Sequence, residues 1–347
     1  MTTETAKRTL FHPVDIGSVH IDGNLFLAPL AGYTDRAFRS ICIEHGASFT
    51  FSEMISAEGL ARGSEQTEKL TYRADNEEKL AIQLFMEHAS VVERCLDRLM
   101  SYQPTIVDIN CGCPVPKVVK TGAGSALLKD PQKIFQIVDI LKRSLSVPVS
   151  VKIRLGWDAQ SINYKETSDA AISAGADMIT MHARTRAMGY SGTADWGALT
   201  DFTQYIKNRA NHVVVFGSGD LFSPEAAQKM LAQTGVDGVM FARGALGNPF
   251  IFSDTQALLV SGEEPRFHEV PQRVAVLLQH LYKAGKDVGE RLACREMRKH
   301  ATAYLKGLPH AAKAKQSLVT ANSFLEYEAV CKTLIHEAQY NPHLSES

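Results

Sequence analysis

Eight short apolar runs rich in Val, Ile and Phe, alternating with longer stretches of helical period, constrain this chain more than any other feature. The runs are Leu25–Leu30, Phe49–Ile55, Leu80–Phe85, Thr105–Asn110, Val147–Ile153, Met178–His182, Val213–Phe216 and Gly238–Phe241. Between them, helical spacing predicts Asp35–His45, Ser90–Tyr102, Pro131–Ser144, Tyr164–Ala174, Trp196–Arg209 and Pro224–Thr234. Thr34-Asp35, Asp130-Pro131 and Ser223-Pro224 are good helix starts, and Gly46, Gly175 and Gly235 are good stops. The segment between the second and third runs has no clear pattern. Eight βα units over about 250 residues are the tally of a (β/α)8 TIM barrel. A doubly wound open sheet would want a Gly-rich turn after its first strand, and Ala28-Pro-Leu-Ala-Gly32 does not have that form. The expected fold is therefore α/β, a TIM barrel.

After residue 255 the pattern is helical only. Ser261-Gly-Glu-Glu-Pro265 reads as a linker, followed by helices at Val270–Asp287, Arg291–Lys306, Ala311–Leu318 and Phe324–Ala338. We expect a barrel domain over 1–255 and an all-helical domain over 256–347. Arg291, Arg295, Arg298, Lys299, Lys306, Lys313 and Lys315 face a single acid, Glu296, within one stretch. Arg291, Arg295 and Arg298 share a helix face, which reads either as a solvated surface or as a phosphate-contacting one. The net charge of −1 hides this asymmetry. No uncharged apolar run approaches the length of a membrane span, and the N-terminus lacks the apolar core of a secretory signal. A cytoplasmic protein is expected, with its six cysteines as free thiols.

In such a barrel the chemistry sits where strands end. There the sequence places Gln83, Asn110, Lys152, His182 and Arg184. Each alone could be a satisfied core group; together they surround one mouth. A lysine flanked by Val151 and Ile153 is costly to bury without an anionic partner. Two Gly-rich turns, Gly217-Ser-Gly-Asp220 and Ala242-Arg-Gly244, follow the seventh and eighth strands. That is the usual phosphate-binding place of this fold.

Cys111 and Cys113 flank Gly112 at the end of the fourth strand. As metal ligands they supply two donors where four are normal, and Cys42, Cys95, Cys294 and Cys331 have no paired spacing, so no metal site is expected. A redox pair would more often be C-x-x-C. A single acidic thiol fits best. Pro114 and Pro116 stiffen the loop, and Cys113 lies where reach toward a ligand is greatest.

The run Asn110-Cys-Gly-Cys-Pro114 with Gly122-Ala-Gly-Ser125 downstream resembles the tRNA-dihydrouridine synthases, most closely their bacterial B-type branch. Ala28-Pro-Leu-Ala-Gly-Tyr-Thr-Asp35, Phe51-Ser-Glu-Met-Ile-Ser56, Lys152-Ile-Arg154, His182-Ala-Arg-Thr185 and Gly217-Ser-Gly-Asp220 look like that family in its order. The resemblance implies an FMN-bearing barrel, reduced by NADPH, with a helical domain that grips tRNA. It implies that Pro29, Leu30 and Ala31 lie beside the flavin ring, and that Gln83, Lys152 and His182 contact the flavin. Gly217, Ser218, Gly219, Asp220, Ala242, Arg243 and Gly244 would cradle its phosphate. Cys113 would donate a proton to C5 of a uracil whose C6 takes hydride, and Asn110 and Arg184 would touch that uracil. Arg291, Arg295, Arg298 and Lys299 would hold tRNA. Leu30 and Ser218 depart from residues frequent there, methionine and asparagine. The branch suggests uridine 17 of the D-loop; a monomer is expected. The alternative is an FMN-dependent dehydrogenase of a free pyrimidine, of dihydroorotate or dihydropyrimidine type.

Overall fold

The computed structural model describes residues 9–340. Part of the N-terminal stretch read for a signal, and the last seven positions of the expected helical domain, lie outside them. Eight parallel strands form a closed barrel: β1 (Leu25–Leu27), β2 (Phe49–Phe51), β3 (Leu80–Phe85), β4 (Ile106–Asn110), β5 (Val149–Arg154), β6 (Met178–His182), β7 (Val214–Ser218) and β8 (Gly238–Phe241). Each strand pairs with the next. β8 returns to β1 through Val239 opposite Leu25, and β2 meets β3 through Thr50 opposite Leu80.

Strand alternation sorts the side chains. Ile82, Leu84, Val107, Ile109, Val151 and Ile153 face the surrounding helices. The interior at the N-terminal end is aromatic: Phe26, Phe49, Phe51 and Phe216 are fully or almost fully buried, with Phe26 stacked on Phe216 at 4.2 Å between centroids. Each such ring contributes roughly 2–3 kcal/mol by leaving water. A hairpin of Val14–Ile16 with Val19–Ile21 adds Val14, Ile16 and Ile21 to this core. Its three-residue strands are too short to show a period, so the sequence reading missed it. Toward the C-terminal end the inward positions turn polar, and these positions build the site.

The unclear segment after β2 holds two short helices, Ala57–Ala61 and Glu65–Glu68. It is tied back by a buried pair in which Arg39 Nε donates to Glu77 Oε1 at 2.8 Å. Thr50 Oγ also donates to Glu77, so the carboxylate is satisfied rather than stranded.

The barrel's last helix, Ile251–Ser261, buries Ile251 and Phe252 in the barrel core. It therefore ends at Ser261, beyond the expected boundary at 255. Helices Val270–Val288, Glu290–Tyr304, Ala311–Thr320 and Phe324–Tyr340 follow. They share a core of Val274, Leu277, Leu281, Met297, Tyr304, Leu318 and Tyr327, into which the barrel sends Ile41 and Phe250. Val270–Val288 docks on helix Arg36–Glu44, with Arg36 on Asp287 and Lys283 on Glu44 at 2.8 Å. Among the described residues no helix is long and apolar enough to cross a membrane.

Candidate active site

A cavity of about 370 Å³ opens at the C-terminal ends of the strands. Its walls include Pro29, Leu30, Ala31, Asn110, Cys113, Lys152, Arg154, His182, Ser218, Gly219, Asp220, Ala242, Arg243 and Gly244. The site rests on a chain of hydrogen bonds that climbs the barrel. Ser150 Oγ and Gln83 Nε2 both donate to Asp108, at 2.5 and 2.6 Å. Asn110 Nδ2 donates to Gln83 Oε1 at 2.8 Å. Asn110 Oδ1 then accepts from the N–H of Gly112, at 3.2 Å, and of Cys113, at 2.9 Å. A second anchor holds the same loop from outside: Ser125 donates to Cys113 O through Oγ, at 2.8 Å, and through its N–H, at 3.1 Å. Arg154 Nε donates to Gly112 O at 2.8 Å. The backbone that carries Cys113 is thus fixed, and Cys113 lines the cavity. Cys111, two residues back, points into the core between barrel and helices.

The electrostatics are one-sided. Lys152 is half-buried and its pKa falls to about 8, first by desolvation and then by Arg154; Asp108 opposes the shift. Asp108 is itself pushed up to about 6 by burial. His182 is driven down to about 2, first by burial and then by Arg154, Lys152, Arg184 and Arg243, so it is neutral at physiological pH. Its buried Nδ1 has no hydrogen-bond partner within the protein. Burial holds the Cys113 thiol above its usual pKa although Arg154 and Lys152 pull the other way.

These features fit a flat ligand with an anionic tail. Gly219, at φ +121°, and Gly244 sit where a side chain has no room: a Cβ on Gly244 would lie 2.0 Å from Leu221 O. Glycine at these positions lets the 219–222 and 242–244 turns pack tightly and form one wall of the cavity. Arg243 and the orphaned His182 nitrogen supply donors beside that cradle. The volume lies within the usual range of small-molecule sites, about 300–1,000 Å³.

Several residues from the sequence reading lie elsewhere. Gln83 is fully buried beneath the cavity, both ends of its amide committed to Asp108 and Asn110. Gly217 faces outward, where a Cβ would strike Met230 and Leu199; its period-2 neighbours Phe216 and Ser218 point in. Arg184 was read as sharing a face with His182, but its N–H bonds back to His182 O at 2.8 Å. That tight turn breaks the alternation. Its buried guanidinium instead holds the Asp220 carboxylate at 2.8 and 2.9 Å and the carbonyls of Ser191 and Gly192.

Other wall residues were missed. Arg154 lines the cavity beside Lys152, and the alternation of β5 gave the signal, since residues 152 and 154 share a face. Asp108, two before Asn110, is the acid near Lys152 by the same logic. Tyr190 and Phe222 stand exposed at the mouth and receive the Arg243 guanidinium at 4.8 and 5.1 Å. They sit on loops, where no period marks them.

Of the basic face, Arg291, Arg295 and Lys299 are exposed. Lys299 stands over the ring of Tyr33 at 5.2 Å, and Tyr33 lines the cavity, so the basic helix leads to its mouth. Arg298 is drawn onto the 321–322 turn, donating to Asn322 Oδ1 at 3.1 Å.

Closure of the barrel and the seat of this cavity at its C-terminal face are those of a TIM-barrel enzyme. The fold is shared with a 2-naphthoyl-CoA reductase in complex with 2-naphthoyl-CoA (TM-score 0.57, 10% identity, 72% of this chain and 52% of that one). It is also shared with the histamine dehydrogenase of Rhizobium sp. 4-9 (TM-score 0.55, 13% identity, 79% and 51%). The chain spans about half the length of either. Sequence relatives match over most of their length. A probable tRNA-dihydrouridine synthase of Treponema pallidum is 43% identical over 333 residues, covering 94% of this chain and 97% of its own. The tRNA-dihydrouridine synthase B of Pseudomonas aeruginosa is 33% identical over 321 residues, covering 92% and 94%. The model of the dihydrouridine synthase family matches residues 26–339. The chain belongs to the dihydrouridine synthase family.

Proposed function

We propose that the protein reduces uridine 17 in the D-loop of tRNA to 5,6-dihydrouridine, with FMN in the barrel cavity and NADPH as reductant. The observation that carries this reading is the shared cavity: Cys113 stands on the same wall system as the Gly-rich cradle, Lys152 and His182. Bound there, FMN supplies the hydride that no side chain can. Arg243, Gly219 and Gly244 hold its phosphate, with Ser218, Asp220 and Ala242 completing the wall. Lys152 keeps an ammonium beside the ring, where it favours negative charge. Pro29, Leu30 and Ala31 would supply wall against which the ring could lie.

Cys113 gives its proton to C5 of the uracil. Its raised pKa keeps it a thiol at neutral pH, which suits an acid rather than a nucleophile. Asn110 positions this loop, and Gln83 and Asp108 position Asn110. Arg184 acts through Asp220. Arg154 and Tyr190 are left to meet the base, which must leave its stack to enter. Arg291, Arg295 and Lys299 attract tRNA phosphates along the approach to the mouth. One chain carries every residue named, so the proposed site needs no second copy, and a monomer is the form we infer.

The test is turnover. FMN-loaded protein with NADPH should form dihydrouridine in unmodified tRNA, read by mass spectrometry of the nucleosides, and should leave free uracil and orotate untouched. Turnover of the free pyrimidines but not of tRNA would replace this reading with a small-molecule dehydrogenase.

A further inference from the structure

Between the barrel and the helical region, Asp35, His280 and His300 turn one ligand atom each toward a common point, all within 4.8 Å of one another. Asp35 ends the loop that carries Pro29, Leu30 and Ala31. His280 and His300 come from helices Val270–Val288 and Glu290–Tyr304. Both imidazoles are almost wholly buried, at 1% and 2% exposure. His280 Nε2 and both ring nitrogens of His300 lack any hydrogen-bond partner. His280 Nε2 lies 4.0 Å from Asp35 Oδ1, and its Nδ1 is engaged by the Tyr304 hydroxyl at 3.3 Å. Buried polar groups without partners call for an explanation, and three in one spot beside a carboxylate share one.

We propose that Asp35, His280 and His300 bind a divalent transition metal of the zinc type, which braces the helical region against the barrel. Two imidazoles and a carboxylate form a borderline donor set that suits zinc, whereas magnesium and calcium take oxygen. Tyr304 is a partner of the kind that fixes a ligating ring. Phe38, stacked on His280 at 5.4 Å, and Tyr33, edge-on to His300 at 5.4 Å, supply a dry surround. Tetrahedral bonds of about 2.0–2.2 Å put donor atoms about 3.3 Å apart, so binding draws the three side chains inward and leaves a fourth position for water. Residues 35, 280 and 300 are too distant in sequence to show a spacing. This inference does not depend on the proposed reaction.

The test uses full-length protein stripped with EDTA, with Zn²⁺ and Co²⁺ as probes. One equivalent of Zn²⁺ should bind by calorimetry, and Co²⁺ should give visible d–d bands. Saturating Zn²⁺ should raise Tm by about 4 °C. Asp35→Asn keeps the helix cap on Phe38, because Asn caps as well as Asp, and should weaken Zn²⁺ binding at least tenfold; His300→Gln should abolish it. Absence of a one-to-one isotherm would overturn the proposal. So would unchanged affinity in Asp35→Asn, which decides the matter if the histidine variant fails to fold.

Discussion

Asn110 is tied to the protein at both ends of its amide: Nδ2 donates to Gln83, and Oδ1 accepts from the N–H groups of Gly112 and Cys113. Its contribution is therefore the placement of the thiol, and a misplacement near 1 Å can cost about 10²-fold in rate. Asn110→Ala should lower tRNA reduction by roughly that factor while NADPH still reduces the bound flavin; equal loss of both half-reactions would show a flavin contact instead. Lys152 carries a pH signature. Burial and Arg154 put its pKa at about 8, below the usual lysine value. An anionic ligand favours the ammonium. Below pH 8 that charge is already present; above it, binding must take up a proton. FMN affinity should then weaken by up to about tenfold per pH unit above 8, and Lys152→Met should flatten the profile. A flat wild-type titration from pH 7 to 9.5 would remove Lys152 from the anion site. Much of this was legible in the sequence, because strand period aims residues 108, 110, 152, 154 and 182 inward. Arg184 departs from the expected face because a tight turn breaks the period after His182, and Gly217, expected in a Gly-rich turn, is still the outward-facing residue of its strand. Tyr190 and Phe222 were invisible because loops have no period.

The Gly122-to-Ser125 segment and the basic helix show what elements add. Gly124 has φ +63°, and a Cβ there would lie 3.0 Å from Cys113 O and 3.2 Å from Cys113 Cβ. The glycine lets the segment press against the cysteine loop so that Ser125 can hold it. Gly124→Ala should destabilise the fold by about 1–2 kcal/mol, seen as a lower urea midpoint, and should slow tRNA reduction further than stability alone explains. An alanine variant with native midpoint and rate would show that the loop has slack. On helix Glu290–Tyr304, Arg291 and Arg295 are exposed, and reversal of both to Glu should weaken tRNA binding and shrink its salt dependence. Unaltered binding would mean that RNA docks elsewhere. The helical period exposed this face from sequence alone. It could not reveal that Arg298 is tied to the 321–322 turn, because that depends on where a later element packs.

At the scale of the molecule, the two regions share their boundary rather than meeting as finished units. Ile41 and Phe250 of the barrel are buried in the helical core, and the Arg36–Asp287 and Lys283–Glu44 pairs flank that contact. A barrel cut at 255 would lose most of its last helix and expose this face, so calorimetry of the whole chain should show a single cooperative transition. Two separated transitions would indicate independent domains. The alternation of eight strands announced the barrel because closure is a matter of count and spacing. The docking of the helices left no such mark. It depends on residues such as Asp35, His280 and His300, which only the folded chain brings together. The proposed chemistry needs a fixed thiol facing a bound electron carrier across a space for one extruded base. It is tested most directly by single-turnover kinetics of Cys113→Ala loaded with FMN: NADPH should reduce the flavin at the wild-type rate, and tRNA should then reoxidise it at least about 10²-fold more slowly. Reoxidation by tRNA at the wild-type rate would contradict the account.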